Sequence, residues 1–410
     1  MKNHELLIPV QNQKSLQAVI GYADAIYFGT ETFNMRMHAR NIKLDDMSEF
    51  IKECHENNLK AYLTTNIIIY EGELELLEKY IEEAYHADVD ALILHDFATI
   101  KLAKKFNIPF HVSTQASISN SAAAIFFEEI GAERIILARE LSLKQIYKIS
   151  KNIKKVKLEA FIHGAMCTSI SGRCYFSQVI HESSEFSANR GKCLQPCRDK
   201  WKVYHQNGKE FDYDGYFFIN AKDLCMIEHI PEMIEAGIYS FKVEGRMRSA
   251  QYIEKVARLY RKAFDAYYDG DYTREKAKKW KDALSRVYNR GFSTGFYFNI
   301  PTALDISRKT SGNVAKRRKL EVGSVVTYYR RKQVAKLRLY RGKFKIGDVI
   351  YIEGGDMGTF YKHKFSDIYH KNKMIQETPD IAQLSKDYLI TIKVDQPVNK
   401  SDRVFMYIEK

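Results

Sequence analysis

Several absences narrow the field. No stretch approaches the ~18 uncharged apolar residues of a membrane helix, and residues 1–9 hold no apolar run of signal-peptide length. No membrane association is expected, and a cytoplasmic location is. Cysteine is scarce, six in 410 residues. In a reducing compartment such a set points to metal or redox chemistry rather than to a disulfide framework. Hydrolytic signatures are missing too. There is no Gly-x-Ser-x-Gly elbow and no His-Glu-x-x-His; His181-Glu-Ser-Ser-Glu185 is only a partial likeness of the second. No fixed-period repeat recurs, and the one biased tract is the basic run at 316–319.

What is present is a folded, basic chain. Hydrophobic residues make up 45% and charged residues 28%, the balance of a soluble protein. The net charge of +13 suits a polyanionic partner, because Lys and Arg displace condensed counterions from phosphates. A Lys-rich composition alone would give the same figure. At this length two or three domains are expected.

Short β runs alternate with helical patterns over the first part of the chain. The β runs are 6–9, 25–28, 60–66, 91–94, 110–113, 134–137, 157–163 and 239–243. Helices are expected at 15–22, 47–57, 73–86, 97–105, 119–130, 142–150 and 223–236. Eight such units predict an α/β fold, a closed (β/α)8 TIM-like barrel, over 1–250, with a cysteine-rich insertion at 164–222. An open doubly wound sheet is the alternative. Residues 251–319 read as an amphipathic helical segment and a polar linker. The Gly-punctuated aromatic stretch 288–297 reads as a turn against the barrel. From 320 to 410 alternating strands separated by glycines predict a small all-β barrel domain. The basic residues at 316–319 and 330–332 would either reach a phosphate backbone or form a solvated surface.

In a barrel of this kind catalytic groups sit at the C-terminal strand ends. Those ends carry Asn66, His95, Asp96, Gln115, Arg139, Glu140, His163, Glu244 and Arg246. They are expected to gather at one mouth. Glu159, Phe161 and His163 alternate along one strand, so they are expected to share a face.

Four cysteines crowd the insertion. Six residues separate Cys167 from Cys174, and three separate Cys193 from Cys197. The second pair suits zinc, but the first gap is wide for a zinc hook. Iron–sulfur clusters take four thiolates at more varied spacing. Arg173, Arg190 and Arg198 flank the set, and Gly164, Gly172 and Gly191 permit close backbone approach. Spacing favours iron–sulfur over zinc and leaves a metal-free reading open. A nucleophilic cysteine would need a paired histidine, for which His163 is the candidate. Cys54 reads as structural, and Cys225 stands alone at an expected helix start.

At Glu159-Ala-Phe-Ile-His-Gly-Ala-Met-Cys167 with Ser171-Gly-Arg-Cys174, the sequence resembles the collagenase-like peptidase family U32. The matches continue in Asn189-Arg-Gly-Lys-Cys-Leu-Gln-Pro-Cys-Arg198, Lys222-Asp-Leu-Cys225, Lys242-Val-Glu-Gly-Arg246 and Arg290-Gly-Phe-Ser-Thr-Gly295. Within that family it is most similar to the branch that makes 5-hydroxyuridine at the tRNA wobble position. Other branches hydroxylate a ribosomal cytidine or support ubiquinone hydroxylation. The segment between Arg198 and Lys222 is shorter than in many members. The resemblance implies an iron–sulfur enzyme with a [4Fe–4S] cluster on Cys167, Cys174, Cys193 and Cys197, with Cys225 as the rival fourth ligand. It implies prephenate as hydroxyl source, tRNA as substrate, and a need for iron–sulfur assembly machinery. Prephenate is a dicarboxylate and calls for cationic forks, for which Arg36, Arg40, Arg190 and Arg246 are the candidates. Gln115, Glu159 and His163 are the candidates for orienting the donor or relaying protons. A peptidase, and an RNA-binding iron–sulfur subunit that needs a homologous partner subunit, are the competing readings.

Overall fold

The computed structural model describes residues 4–202, 207, 217–308, 310, 312–354, 359–384 and 387–409. Much of the segment between Arg198 and Lys222, and single positions of the expected linker, lie outside them. The chain divides into two compact units, 1–11 with 19–315, and 12–18 with 316–410.

The first unit is built on strands whose residues are almost all buried, as parallel strands covered on both faces must be. They are β1 (Glu5–Pro9), β2 (Ala25–Phe28), β3 (Lys60–Thr65), β4 (Ala91–Leu94), β5 (Phe110–Val112), β6 (Arg134–Ile136) and β7 (Lys157–Gly164). Each pairs in parallel with the next. A short strand β8 (Asp223–Cys225) lies antiparallel on the end of β7. The ring is closed by β9 (Ser240–Val243), which pairs in parallel with both β7 and β1. The closed eight-stranded parallel barrel is therefore present, and the open sheet is not.

Helices follow most strands. After α1 (Gln13–Gln17), which belongs to the second unit, come α2 (Met47–Glu56), α3 (Leu74–His86), α4 (Phe97–Lys105), α5 (Ser121–Glu129), α6 (Leu143–Ser150), α7 (Phe176–Ile180) and α8 (Ile230–Glu235). Two of these differ from the sequence reading. The helix expected at 15–22 is α1, started at Asn12 by a capping box with Ser15 and followed by a turn. The helix expected from 223 begins only at Ile230, because Asp223-Leu-Cys225 is drawn into pairing with the end of β7. Two further helices, α9 (Ala250–Tyr268) and α10 (Arg274–Ser285), make up the helical segment. A two-residue strand, β10 (Phe292–Ser293), runs beside β8, and the Tyr297 hydroxyl donates to the Phe161 carbonyl at 2.6 Å. The stretch 288–297 is thus a turn against the barrel. Among the described residues no helix is long and apolar enough to cross a membrane.

The barrel interior holds charge as well as hydrocarbon. Arg134 donates to Glu5 and to Glu159, and Lys242 donates to the other Glu159 oxygen at 2.8 Å. All four side chains are buried. Tyr62 and Ser240 donate to Glu5 at 2.7 and 2.8 Å.

Among the described residues the second unit is an antiparallel sheet of eight strands. They are β11 (Arg317–Tyr329), β12 (Val334–Leu339), β13 (Val349–Glu353), β14 (Phe360–Lys364), β15 (Tyr369–His370), β16 (Lys373–Met374), β17 (Tyr388–Lys393) and β18 (Arg403–Glu409). Their order is β14-β13-β18-β11-β12-β17-β15-β16. A single apolar cluster, with Val322, Leu337, Phe344, Ile350, Ile390 and Val404 among its members, forms its core. The basic run starts the sheet: β11 opens at Arg317, so three of its four residues are strand rather than linker. Arg317 pairs with Glu409 and Lys319 with Glu353. The basic residues 330–332 form an exposed turn.

Candidate active site

The cysteine-rich insertion leaves β7 at Gly164. A Cβ there would lie 2.2 Å from the Glu244 carbonyl oxygen, and φ is +106°, so only glycine fits. The chain then makes short turns, Ile170–Gly172, Ala188–Arg190 and Pro196–Arg198, around α7. Polar clasps fix it. Arg198 donates to Asn220, the Ala221 carbonyl and the Met166 carbonyl. Arg190 forks onto Glu73, reaches the Ile68 carbonyl and covers the Tyr70 ring at 4.7 Å. Gly191 presses on the loop after β2, where an added Cβ would meet the Asn34 carbonyl at 2.0 Å.

These clasps turn Cys167, Cys174, Cys193 and Cys197 toward one cavity of about 360 Å³. Cys167 is exposed and the other three are half-buried. The Phe176 amide donates to Cys174 Sγ and the Gln195 amide to Cys193 Sγ, both at 3.3 Å. Burial raises the Cys193 thiol and pushes Cys197 up to about 11. Such thiols ionise when a metal compensates the charge, since a coordinating thiol is deprotonated outright. Among the described residues no three His, Cys, Asp or Glu side chains converge on a single-ion site. The thiols share a wall rather than a point. Four thiols, amide N–H groups aimed at sulfur and nearby guanidinium groups form a donor set whose chemistry suits an iron–sulfur cluster.

Arg36, Arg139 and Gln115 line this cavity and also a smaller one of about 60 Å³ that continues into the barrel mouth. Gln115 accepts from Ser113 and, at 3.3 Å, from Asn66, which orient its amide. Arg36 pairs with Glu244 at 2.9 Å. Burial alone would lower the Arg36 guanidinium, but the Glu244 carboxylate holds it above its ordinary value. Burial likewise works to raise Glu244, and Arg36 and Arg139 hold it below the usual carboxylate range. Arg139 lies over the Phe161 ring at 4.1 Å and donates to the Ala165 carbonyl at 3.4 Å. Among the described residues it forms no ion pair, which leaves it the least committed guanidinium of the wall.

The structure therefore brings together the four cysteines, Gln115 and Arg36. Arg246 lines the inner cavity, but its guanidinium donates to Thr64, Asn34 and Asn41 at 2.6–2.8 Å. Burial lowers it to about 10. It shapes the mouth rather than offering a free fork. Arg40 is exposed and outside the cavity lining, and Arg190 is spent on Glu73. Glu159 lies inside the barrel with both oxygens engaged by Arg134 and Lys242.

His163 corrects the expectation of a shared face. The β7–β9 register shifts between Phe161 and His163, so that His163 falls opposite Val243. The extra residue turns its ring outward. There it packs on Tyr252, Tyr260 and Phe292, and burial lowers it to about 3. It is absent from the lining of the cysteine cavity. Cys225 sits beside it, buried, with Tyr260 Oη at 4.0 Å from Sγ, also away from that lining. Arg139 and Glu244 were visible only as strand-end residues, and nothing in their spacing marked them above the others.

The model of peptidase family U32 matches residues 11–307. An uncharacterized protease of Methanocaldococcus jannaschii is 40% identical, over 99% of this chain and 98% of its own length. A collagenase of Porphyromonas gingivalis is 34% identical over the same shares. A Bacillus subtilis protein named tRNA hydroxylation protein P1 is 34% identical over 88% of this chain and 85% of its own.

Proposed function

Because this chain belongs to peptidase family U32 and gathers four cysteines on one cavity at its barrel mouth, we propose that it is an iron–sulfur-dependent RNA-modifying enzyme. Its reaction in this reading is hydroxylation of the wobble uridine of tRNA to 5-hydroxyuridine, with prephenate as hydroxyl source. The names of its relatives divide between proteolysis and tRNA hydroxylation. The cavity's chemistry favours the second. A thiol peptidase needs a cysteine within hydrogen-bond reach of a histidine. His163 is turned away from the four cavity cysteines; it lies beside the buried Cys225, off that cavity, and each of the two meets the Tyr260 hydroxyl rather than the other. His38, which does line the cavity, has no hydrogen bond to a thiol among the described residues. Four thiols on one cavity, two of them accepting from amide N–H groups, carry the proposal.

Cys167, Cys174, Cys193 and Cys197 would hold a [4Fe–4S] cluster, which supplies a redox-active centre when bound. The remaining wall has separate work. Arg139 and the Arg36–Glu244 pair offer fixed guanidinium groups for the carboxylates of prephenate. Gln115, held by Asn66 and Ser113, presents its amide NH2 to the cavity and orients the donor. The net charge of +13 draws in the polyanionic RNA. Loading depends on iron–sulfur assembly machinery, and a homologous partner subunit would be a further requirement rather than a substitute for the site.

The test is mass spectrometry of tRNA nucleosides from a strain lacking the gene. Wobble 5-hydroxyuridine is expected to disappear, to return with the wild-type gene, and to stay absent with Cys174→Ala or Cys193→Ala. Intact modification together with lost proteolysis would replace this reading with the peptidase one.

A further inference from the structure

A second cavity of about 420 Å³ lies on the outer side of the cysteine loop. Cys174 lines both cavities, so the two meet across one residue. The wall between them is ordered by the Cys174 amide, which donates to Asn189 Oδ1 at 3.0 Å. Two large rings border the outer cavity in the open. Phe97, the first residue of α4, is 64% exposed, and Tyr175, just ahead of α7, is 68% exposed. Rings left in solvent at the rim of a cavity of drug-like size mark a surface that takes up a flat apolar partner.

The polar groups complete the pattern. Arg173 is exposed and forms no ion pair among the described residues. His95 Nδ1 is buried and has no hydrogen-bond partner. Asp96 also lines the cavity, but its carboxylate accepts from the amides of Ala98 at 2.9 Å and Ile69 at 3.4 Å. It is thereby committed to its own backbone. The result is two π-faces, a free cation and one unsatisfied ring nitrogen, one residue away from the cysteine cavity.

We infer that this outer cavity is a nucleobase subsite, where an unpaired base of the RNA stacks on Tyr175 or Phe97 while Arg173 meets the adjoining phosphate. The inference rests on the RNA-modifying reading above and extends it by naming where single-stranded RNA is gripped. Base stacking on an aromatic ring tolerates any sequence, and a hydrogen bond from the base edge to His95 would add preference. A base held there places its neighbour in the strand beside the cysteine cavity.

The test uses the full chain, purified anaerobically, and a fluorescein-labelled RNA stem–loop with unpaired uridines in the loop. Fluorescence anisotropy is expected to show Kd raised about 5- to 100-fold by Tyr175→Ala or Phe97→Ala, and largely restored by Tyr175→Phe. Arg173→Gln is expected to flatten the log–log salt slope by about 0.7. Photo-crosslinking of a 4-thiouridine in the loop, mapped by mass spectrometry on the unaltered protein, is expected to mark peptides containing Tyr175 or Phe97. Wild-type binding with both alanine variants unchanged and crosslinks elsewhere would overturn the subsite and leave the RNA reading standing. No binding of the stem–loop or of tRNA by the wild type would overturn both.

Discussion

Glu159→Ala is expected to destabilise the protein by about 3–5 kcal/mol, because it leaves two buried cations without their shared anion. Arg134 would keep Glu5, but Lys242, buried and held to Glu159 at 2.8 Å, would lose the carboxylate it donates to. Burial already lowers the Lys242 ammonium, and Glu159 is the largest influence opposing that shift. Glu159→Gln preserves the shape and one acceptor, so a smaller loss is expected. Urea unfolding followed by circular dichroism measures both. A protein as stable as wild type that has lost RNA hydroxylation would return Glu159 to a chemical role and contradict its placement as a core ion-pair partner.

The second large effect concerns Arg139. On the proposed function, Arg139→Ala is expected to raise the prephenate concentration needed for half-maximal hydroxylation by about 10- to 100-fold, the worth of a charge-assisted hydrogen bond. Arg139→Lys restores a point charge without the planar fork, so recovery is partial. Affinity for tRNA is expected to stay unchanged, because the residue faces the inner cavities. Arg40→Ala serves as the control, since Arg40 is exposed and off the cavity wall. An Arg139→Ala enzyme with unaltered prephenate dependence would remove this residue from donor binding.

The barrel was legible because its signal is local: runs such as Ala91-Leu-Ile-Leu94 are buried on both faces and recur with helical spacers between them. Where elements depend on distant partners, sequence reading failed. Asp223-Leu-Cys225 has too few residues to declare a strand, and forms one because it pairs with the end of β7 and with β10. The register shift that turns His163 outward is a property of the β7–β9 pairing and leaves no mark in the alternation of Glu159, Phe161 and His163. The cysteine cavity was legible because its four thiols lie within one short insertion. The roles of Glu159, Arg190 and Arg246 were not, since each is committed to partners far along the chain: Lys242, Glu73 and Asn34. Arg139 gains its interest from what it lacks among the described residues, an ion-pair partner within reach, although Glu244 lines the same inner cavity, and that is invisible before folding.

The most direct measurement is iron and acid-labile sulfide analysis with an absorption spectrum, after anaerobic purification, on wild type and on Cys197→Ser. The expected result is about four irons and four sulfides per chain in a brown wild-type protein, lost or sharply reduced in the variant. A colourless wild type that holds zinc or no metal after anaerobic reconstitution would contradict it.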